Sequence, residues 1–158
     1  MIVIGIGNPT RGDDAVGWVV IDRIDLQPHP DFETARSSGD AAQLIGLWEQ
    51  HEAVILVDAV RTEDQAGTLQ VIDLLSNEIP SKPETSTHGF GVAAAVELSK
   101  ALNSTPKLLT LVGITAEAFE HGGTLSPQAS RAVEEAANEI LRISANLPQF
   151  PTILPDSR

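Results

Sequence analysis

Apolar and polar positions are arranged along the chain in blocks that predict strands and helices in turn. Two continuous apolar runs, at residues 1–5 and 53–57, have the composition of strands that are buried in a parallel sheet. Segments with apolar residues every three to four positions predict amphipathic helices. The predicted strands are 1–5, 31–36, 53–58, 68–73 and 108–114, and the predicted helices begin near residues 16, 41, 89 and 127.

This order of elements predicts an α/β three-layer sandwich, in which helices flank a mixed, mostly parallel five-stranded sheet. Only a short turn around Gly67 separates the third and fourth predicted strands, which is too short for a helical crossover. The fourth strand is therefore expected to run antiparallel to the strand before it. We assign residues 1–147 to a single domain and interpret residues 148–158, which contain three prolines, as a C-terminal tail.

Composition narrows the possible partners and sites. The chain of 158 residues carries 22 acidic and 10 basic side chains, and its formal charge of -12 disfavours nucleic acid and anionic membranes as partners. Cysteine is absent, which excludes disulfides, thiolate metal ligands and cysteine nucleophiles. Neither a signal-peptide pattern nor an apolar stretch of about 18 residues is present, and we expect a cytoplasmic protein.

Two adjacent carboxylates, Asp13 and Asp14, follow the first predicted strand in the segment GNPTRGDD at residues 7–14. The glycines before them begin a dinucleotide-binding fingerprint, but Thr10 stands where the third glycine is required. The two acids would also repel a pyrophosphate, so a nucleotide site is disfavoured. From these residues alone two interpretations stay open: the acids cap the following helix, or one of them binds a metal.

Two further residues accompany Asp14 as candidate ligands. Asp58 ends the third predicted strand, and His88 precedes the third predicted helix. Ligands of open α/β sheets bind beyond the carboxyl ends of the strands, where Asp14 and Asp58 are both expected. Two carboxylates and an imidazole suit a divalent first-row metal and leave coordination positions open. Taken singly, Asp58 is equally explained as a strand-end acid bonded to a loop, and His88 as a residue that satisfies backbone groups.

The same segments resemble the motifs of the nickel-iron hydrogenase maturation endopeptidases, which trim the C-terminus of a hydrogenase large subunit. The matching segments are IGIGNP and GDDAVG near the N-terminus, VILVDA around Asp58, STHG around His88, and VGI and LSP further along the chain. The resemblance extends over nearly the whole predicted domain. It implies that Asp14, Asp58 and His88 bind the metal and carry the catalysis, and it leaves Asp13 as a capping or structural residue.

The chain departs from the family pattern in two places. Ala15 stands at a position that is often glycine, and the loop SSGD at residues 37–40 replaces an Asp-Gly-Gly-Thr segment. Neither departure removes a candidate ligand, although a loop at the ligand edge often determines specificity. We expect Asn8 and the backbone of Ser38 and Gly39 to help hold the substrate.

The resemblance implies cleavage of one peptide bond in a nickel-loaded precursor of the large subunit. The nickel would be carried by the substrate, and another divalent metal could occupy the site in vitro. The metal could polarise the scissile carbonyl or lower the pKa of a bound water, or one carboxylate could act as general base. Because side chains at a sheet edge are expected to be exposed, replacing the three ligands should abolish processing and leave the fold intact.

A function from a different class would use the same three ligands. A nickel-sensing or metal-delivery module could dock on the precursor without cutting it. The sequence does not indicate a serine hydrolase or a zinc metalloprotease, because it contains neither a G-x-S-x-G nor an H-E-x-x-H motif.

Overall fold

The computed structural model describes residues 1–29, 32–76 and 89–148, which form a five-stranded sheet between two layers of helices. The strands are β1 (Ile2–Ile6), β2 (Glu33–Ser37), β3 (Ala53–Val60), β4 (Leu69–Asp73) and β5 (Leu108–Thr115). The helices are α1 (Val16–Asp25), α2 (Ala41–Trp48), α3 (Gly89–Ala101) and α4 (Pro127–Asn146), and a short 3-10 helix (Gly12–Ala15) precedes α1.

The sheet has the strand order β2-β1-β3-β5-β4. Pairing is parallel between β1 and β2, between β1 and β3, and between β3 and β5, whereas β4 is antiparallel to β5. The predicted three-layer α/β fold with a mixed, mostly parallel sheet is confirmed. β4 runs opposite to β3, as predicted, but it pairs with β5, which lies between them. Gly67 has a φ of +87° in the turn that reverses the chain, a conformation that favours glycine.

Each face of the sheet is covered by its own pair of helices. α1 packs against α4 on one face, and α2 packs against α3 on the other. Every residue of β3 is buried, because this central strand has helices above and below it. Alternate β3 residues therefore enter different cores: Ile55, Val57 and Ala59 join the α1/α4 core, and Val54, Leu56 and Val60 join the α2/α3 core.

The sheet and helices are built by residues 2–146, and only Pro148 of the predicted 148–158 tail lies within the described residues. The division of the chain into a domain and a tail stays a prediction. None of the described helices combines the length and the apolar composition that a bilayer-spanning helix requires.

Candidate functional site at the carboxyl edge of the sheet

Asp14 and Asp58 lie at one corner of the carboxyl edge, which we call the acid corner. Gly17, in the first turn of α1, brings the two segments together: a Cβ on this residue would lie 2.3 Å from the carbonyl oxygen of Ile6 and 2.5 Å from that of Val57. Only a residue without a side chain permits such an approach of a helix to two strands. The helix start that follows Asp14 is thereby held against the strand residue that precedes Asp58.

The side on which Asp58 lies follows from the alternation along β3. Asp58 has the same parity as Leu56 and Val60, whose side chains enter the α2/α3 core. Helix α3 covers this side and begins at Gly89, the residue after His88 in the sequence. His88 itself lies outside the described residues, so its membership of the acid corner stays a prediction.

Both acids of the corner are buried, with Asp14 at 0% and Asp58 at 2% relative exposure. The expectation that these edge residues are exposed is wrong. β3 continues past Asp58 to Val60, so the prediction that Asp58 ends this strand is wrong by two residues. The loop after β1 folds back over the edge, since the backbone N–H of Asn8 donates to the carbonyl oxygen of Asp14 at 3.1 Å. A Cβ on Gly7 would lie 2.0 Å from that same oxygen, so the loop lies directly against the 3-10 helix. Substitutions here therefore need a check of folding.

Asp13 has a structural role that differs from helix capping. Its carboxylate accepts hydrogen bonds from the N–H groups of Glu117 (3.2 Å), Ala118 (3.2 Å) and Ser126 (2.6 Å), and from the Ser126 hydroxyl (2.9 Å). All of these donors lie in the connection from β5 to α4. Neither Asp13 nor Asp14 caps α1, whose N-cap is Ala15. Asp13 instead ties the turn that carries Asp14 to a distant part of the chain.

Asn8 shapes the loop that covers the acid corner. Its Oδ1 accepts hydrogen bonds from the backbone N–H of Thr10 at 2.9 Å and from the Thr10 hydroxyl at 2.7 Å. An asparagine in this arrangement stabilises a turn with its own side chain. This role leaves the predicted contact with substrate untested.

Ser38 and Gly39 lie in the loop that leaves β2, at the same carboxyl edge. Gln43, in the first turn of α2, organises this loop: its Oε1 accepts from the hydroxyl of Ser37 at 2.7 Å and from the N–H of Ser38 at 3.1 Å. The start of α3 touches the loop, since a Cβ on Gly91 would lie 2.0 Å from the Gly39 carbonyl oxygen. Gln43 was not predicted, because a glutamine in a helical turn has no distinguishing pattern.

The acid corner offers carboxylate oxygens, which suit hard and first-row divalent cations. In the described parts of the chain no group of three or more metal-binding side chains is found. His88, the third candidate ligand, falls in the gap between residues 76 and 89. The donor types at the corner therefore fit a divalent cation, and His88 as a third ligand stays a prediction.

Comparison with known proteins identifies the family. The model of the hydrogenase maturation protease family HycI matches residues 39–143, which is about two thirds of the chain. The chain belongs to this family. The matched segment includes Asp58 and His88, whereas Asp14 precedes it.

Individual relatives of this maturation protease agree with the family match. The hydrogenase 2 maturation protease of Escherichia coli K12 is 27% identical over 146 residues, covering 89% of this chain and 88% of that protein. The solved structure of the endopeptidase HybD from E. coli has a TM-score of 0.79 at 24% identity, covering 91% of each chain. The protease HycI from Thermococcus kodakarensis has a TM-score of 0.68 at 25% identity, covering 92% of each chain. The fold and the peptidase class are thus shared.

Proposed function

We propose that this hydrogenase maturation protease removes the C-terminal peptide from a nickel-loaded precursor of a [NiFe]-hydrogenase large subunit. The observation that carries the proposal is the burial of Asp14 and Asp58 at one corner of the carboxyl edge. Carboxylates are seldom fully buried unless they are paired, hydrogen-bonded or bound to a cation. In a family of proteases, such a corner is the best candidate for the reaction site.

In this proposal Asp14, Asp58 and His88 complete the coordination of a nickel ion that the precursor carries. A metal ion in such a site polarises the scissile carbonyl or lowers the pKa of a bound water. The carboxylates and the imidazole orient the ion against the peptide bond, and burial keeps competing water away from them. The ion belongs to the substrate, so the free protease does not need to retain it.

The substrate peptide lies along the two loops that border the acid corner. Ser38 donates to Gln43 through its backbone N–H, which holds the loop after β2 in one conformation. A loop fixed in this way loses little entropy when a peptide binds to it. We propose that the backbone of Ser38 and Gly39, together with Asn8, holds the peptide beside the metal.

The precursor is the protein partner in this scheme, and the reaction belongs to the cytoplasm. The formal charge of -12 argues against nucleic acid as a second partner. It also favours a precursor surface that carries basic groups around the nickel site.

The test is incubation with a nickel-loaded precursor, followed by measurement of the intact mass of that precursor. The wild-type protein should remove a C-terminal peptide, whereas Asp14→Asn, Asp58→Asn and His88→Ala should leave the mass unchanged. Asp40→Asn is the matched control, because Asp40 is an exposed N-cap of α2 and asparagine caps equally well. Circular dichroism and thermal unfolding verify that each variant is folded.

Two results would contradict parts of the proposal. A stable complex with an uncut precursor would indicate a docking or metal-delivery module in place of a peptidase. Equal processing of nickel-free and nickel-loaded precursor, or dependence on a tightly retained zinc ion, would contradict a nickel ion that the substrate brings.

A further inference from the structure

Arginines of this acidic protein differ in whether they have a carboxylate partner. Arg23 pairs with Glu134, Arg36 with Asp22 and Asp25, and Arg142 with Glu139, while Arg131 donates to the carbonyl oxygen of Pro127. In the described ranges, Arg11 and Arg61 have neither kind of partner, although the chain holds 22 acids. Both belong to the carboxyl edge, since Arg11 lies in the loop after β1 and Arg61 directly follows β3.

Arg61 is held in position by an aromatic ring. Its Cζ lies 4.3 Å from the centroid of the Phe119 ring. A guanidinium over an aromatic ring is attracted to the ring face, and this contact uses none of its N–H donors as hydrogen bonds to an acceptor oxygen. Phe119 is itself packed against the α1/α4 core, so the support is fixed. Arg61 is exposed, and its donors are open to a ligand.

Arg11 adjoins the same loop that supplies Phe119. A Cβ on Gly12 would lie 2.6 Å from the carbonyl oxygen of Ala118 and 3.7 Å from the N–H nitrogen of Glu120. The residue after Arg11 thus touches both chain neighbours of Phe119. The Nε of Arg11 is shielded from solvent and has no hydrogen-bond acceptor among the described residues. The segments that carry the two arginines therefore meet at one short stretch of the rim, where Arg61 is the exposed one.

We propose that Arg61, held over the Phe119 ring, binds a carboxylate of the substrate segment that crosses the carboxyl edge. A guanidinium fork accepts a carboxylate with two parallel hydrogen bonds, which gives geometric selectivity as well as charge. This inference rests on the proposed function, because it assumes that the acid corner cuts a peptide. It adds a specificity residue that is distinct from the proposed ligands.

The alternation along β3 limits where this carboxylate lies in the substrate. Arg61 has the opposite parity to Asp58, and its partner Phe119 packs against the α1/α4 core, whereas Asp58 lies on the α2/α3 side. The carboxylate is therefore expected on a part of the substrate that passes over the edge to the α1/α4 side, either on an acidic side chain or at a chain terminus.

Processing kinetics of Arg61→Gln test the inference. We expect KM for the nickel-loaded precursor to rise about fivefold while kcat is unchanged, because the lost contact binds substrate and transition state equally. Phe119→Leu should raise KM by a smaller factor, since the charge stays but its support is lost. Arg142→Gln is the control: it makes the same charge change in the last turns of α4 and should leave KM unchanged.

Salt and peptide probes separate charge recognition from a structural effect. The KM of wild type should rise with ionic strength, because salt screens the attraction between Arg61 and the substrate carboxylate. The KM of Arg61→Gln should rise less, because this variant lacks that ion pair. Binding is measured by fluorescence anisotropy with three labelled alanine-based peptides. One carries two glutamates and an amidated end, one carries glutamines in their place, and one has only a free terminal carboxylate. Tighter binding of the first or of the third identifies the source of the carboxylate.

The outcomes distinguish this inference from the proposed function. If wild type processes the precursor and Arg61→Gln has the same KM and the same salt dependence, the inference is wrong and the proposed function stands. If wild type processes no precursor, the proposed function is wrong, and the peptides decide the inference. Equal affinity of wild type for all three peptides, or equal affinities of wild type and Arg61→Gln, would then overturn it.

Discussion

Replacement of Asp13 by asparagine tests how the turn that carries Asp14 is held. The two carboxylate oxygens of Asp13 have different partners. Oδ2 accepts from the N–H groups of Glu117 and Ala118 and from the Ser126 hydroxyl, whereas Oδ1 accepts from the Ser126 N–H at 2.6 Å. Every one of these partners except the hydroxyl is an obligate donor. An amide, which has only one acceptor oxygen, cannot satisfy both positions.

Either orientation of the asparagine amide creates a conflict. With its oxygen at the Oδ2 position, the NH2 group faces the N–H of Ser126. With the amide reversed, it faces the N–H groups of Glu117 and Ala118. At least one hydrogen bond to a charged group is lost, worth about 1.5–3 kcal/mol, and a donor faces a donor in a buried place. We expect Asp13→Asn to lower the free energy of unfolding by about 2–3 kcal/mol.

Urea denaturation followed by circular dichroism measures this loss, and thermal unfolding should show a decrease in Tm of about 4–10 °C for a chain of this length. Asp40→Asn is again the matched control, because Asp40 accepts one N–H, that of Gln43 at 2.9 Å, from an exposed position. Its stability should change by less than about 0.5 kcal/mol. An Asp13→Asn protein as stable as that control would refute the argument that these four bonds hold the turn.

Three further results are expected. Gly17→Ala should destabilise the protein by about 3 kcal/mol, because the new Cβ would meet two backbone carbonyls. Gly46→Ala should stabilise it by about 0.5–1 kcal/mol, because Gly46 lies in α2 with open space around it. Urea denaturation measures both changes. Burial lowers the pKa of His51 against the opposing effect of Glu33. Below about pH 6.5 the unfolded chain therefore binds a proton more readily at this residue than the folded chain does, and the free energy of unfolding should decrease as the pH is lowered. Denaturation at several pH values measures this dependence, which His51→Gln should weaken. Chelator-treated protease should still process nickel-loaded precursor, as intact mass would show, and full inactivation would indicate a resident metal.

The sequence predicts the elements of the fold well, because their signals are local. The continuous apolar run of β3 and the short connection at Gly67 are each contained in a few consecutive residues. The pairing partner of β4 is not local, and the sequence predicts only that this strand is antiparallel. The register with β5, in which Val71 lies opposite Val112, depends on a strand about 40 residues further along the chain.

The site is predictable only where strand order determines it. Asp14 and Asp58 reach one corner because β1 and β3 are parallel neighbours whose carboxyl ends meet. Their burial is not predictable in this way, since it results from how a loop folds back over the edge. The role of Asp13 is equally hidden, because its donors are 104 to 113 residues away in the sequence. A short stretch of sequence shows its own periodicity, but it does not show which distant stretch it will contact.

Close backbone contacts explain how a corner built from separate segments is held in place. Gly17 approaches the carbonyls of Ile6 and Val57, and Gly91 approaches that of Gly39, so two helix starts meet their neighbours at the edge without intervening side chains. A Cβ at Gly17 would separate the start of α1 from β1 and β3, and a Cβ at Gly91 would separate the start of α3 from the loop after β2. Gly17 is therefore part of what fixes the two carboxylates at the edge, since it sets how closely the segments that carry them approach each other.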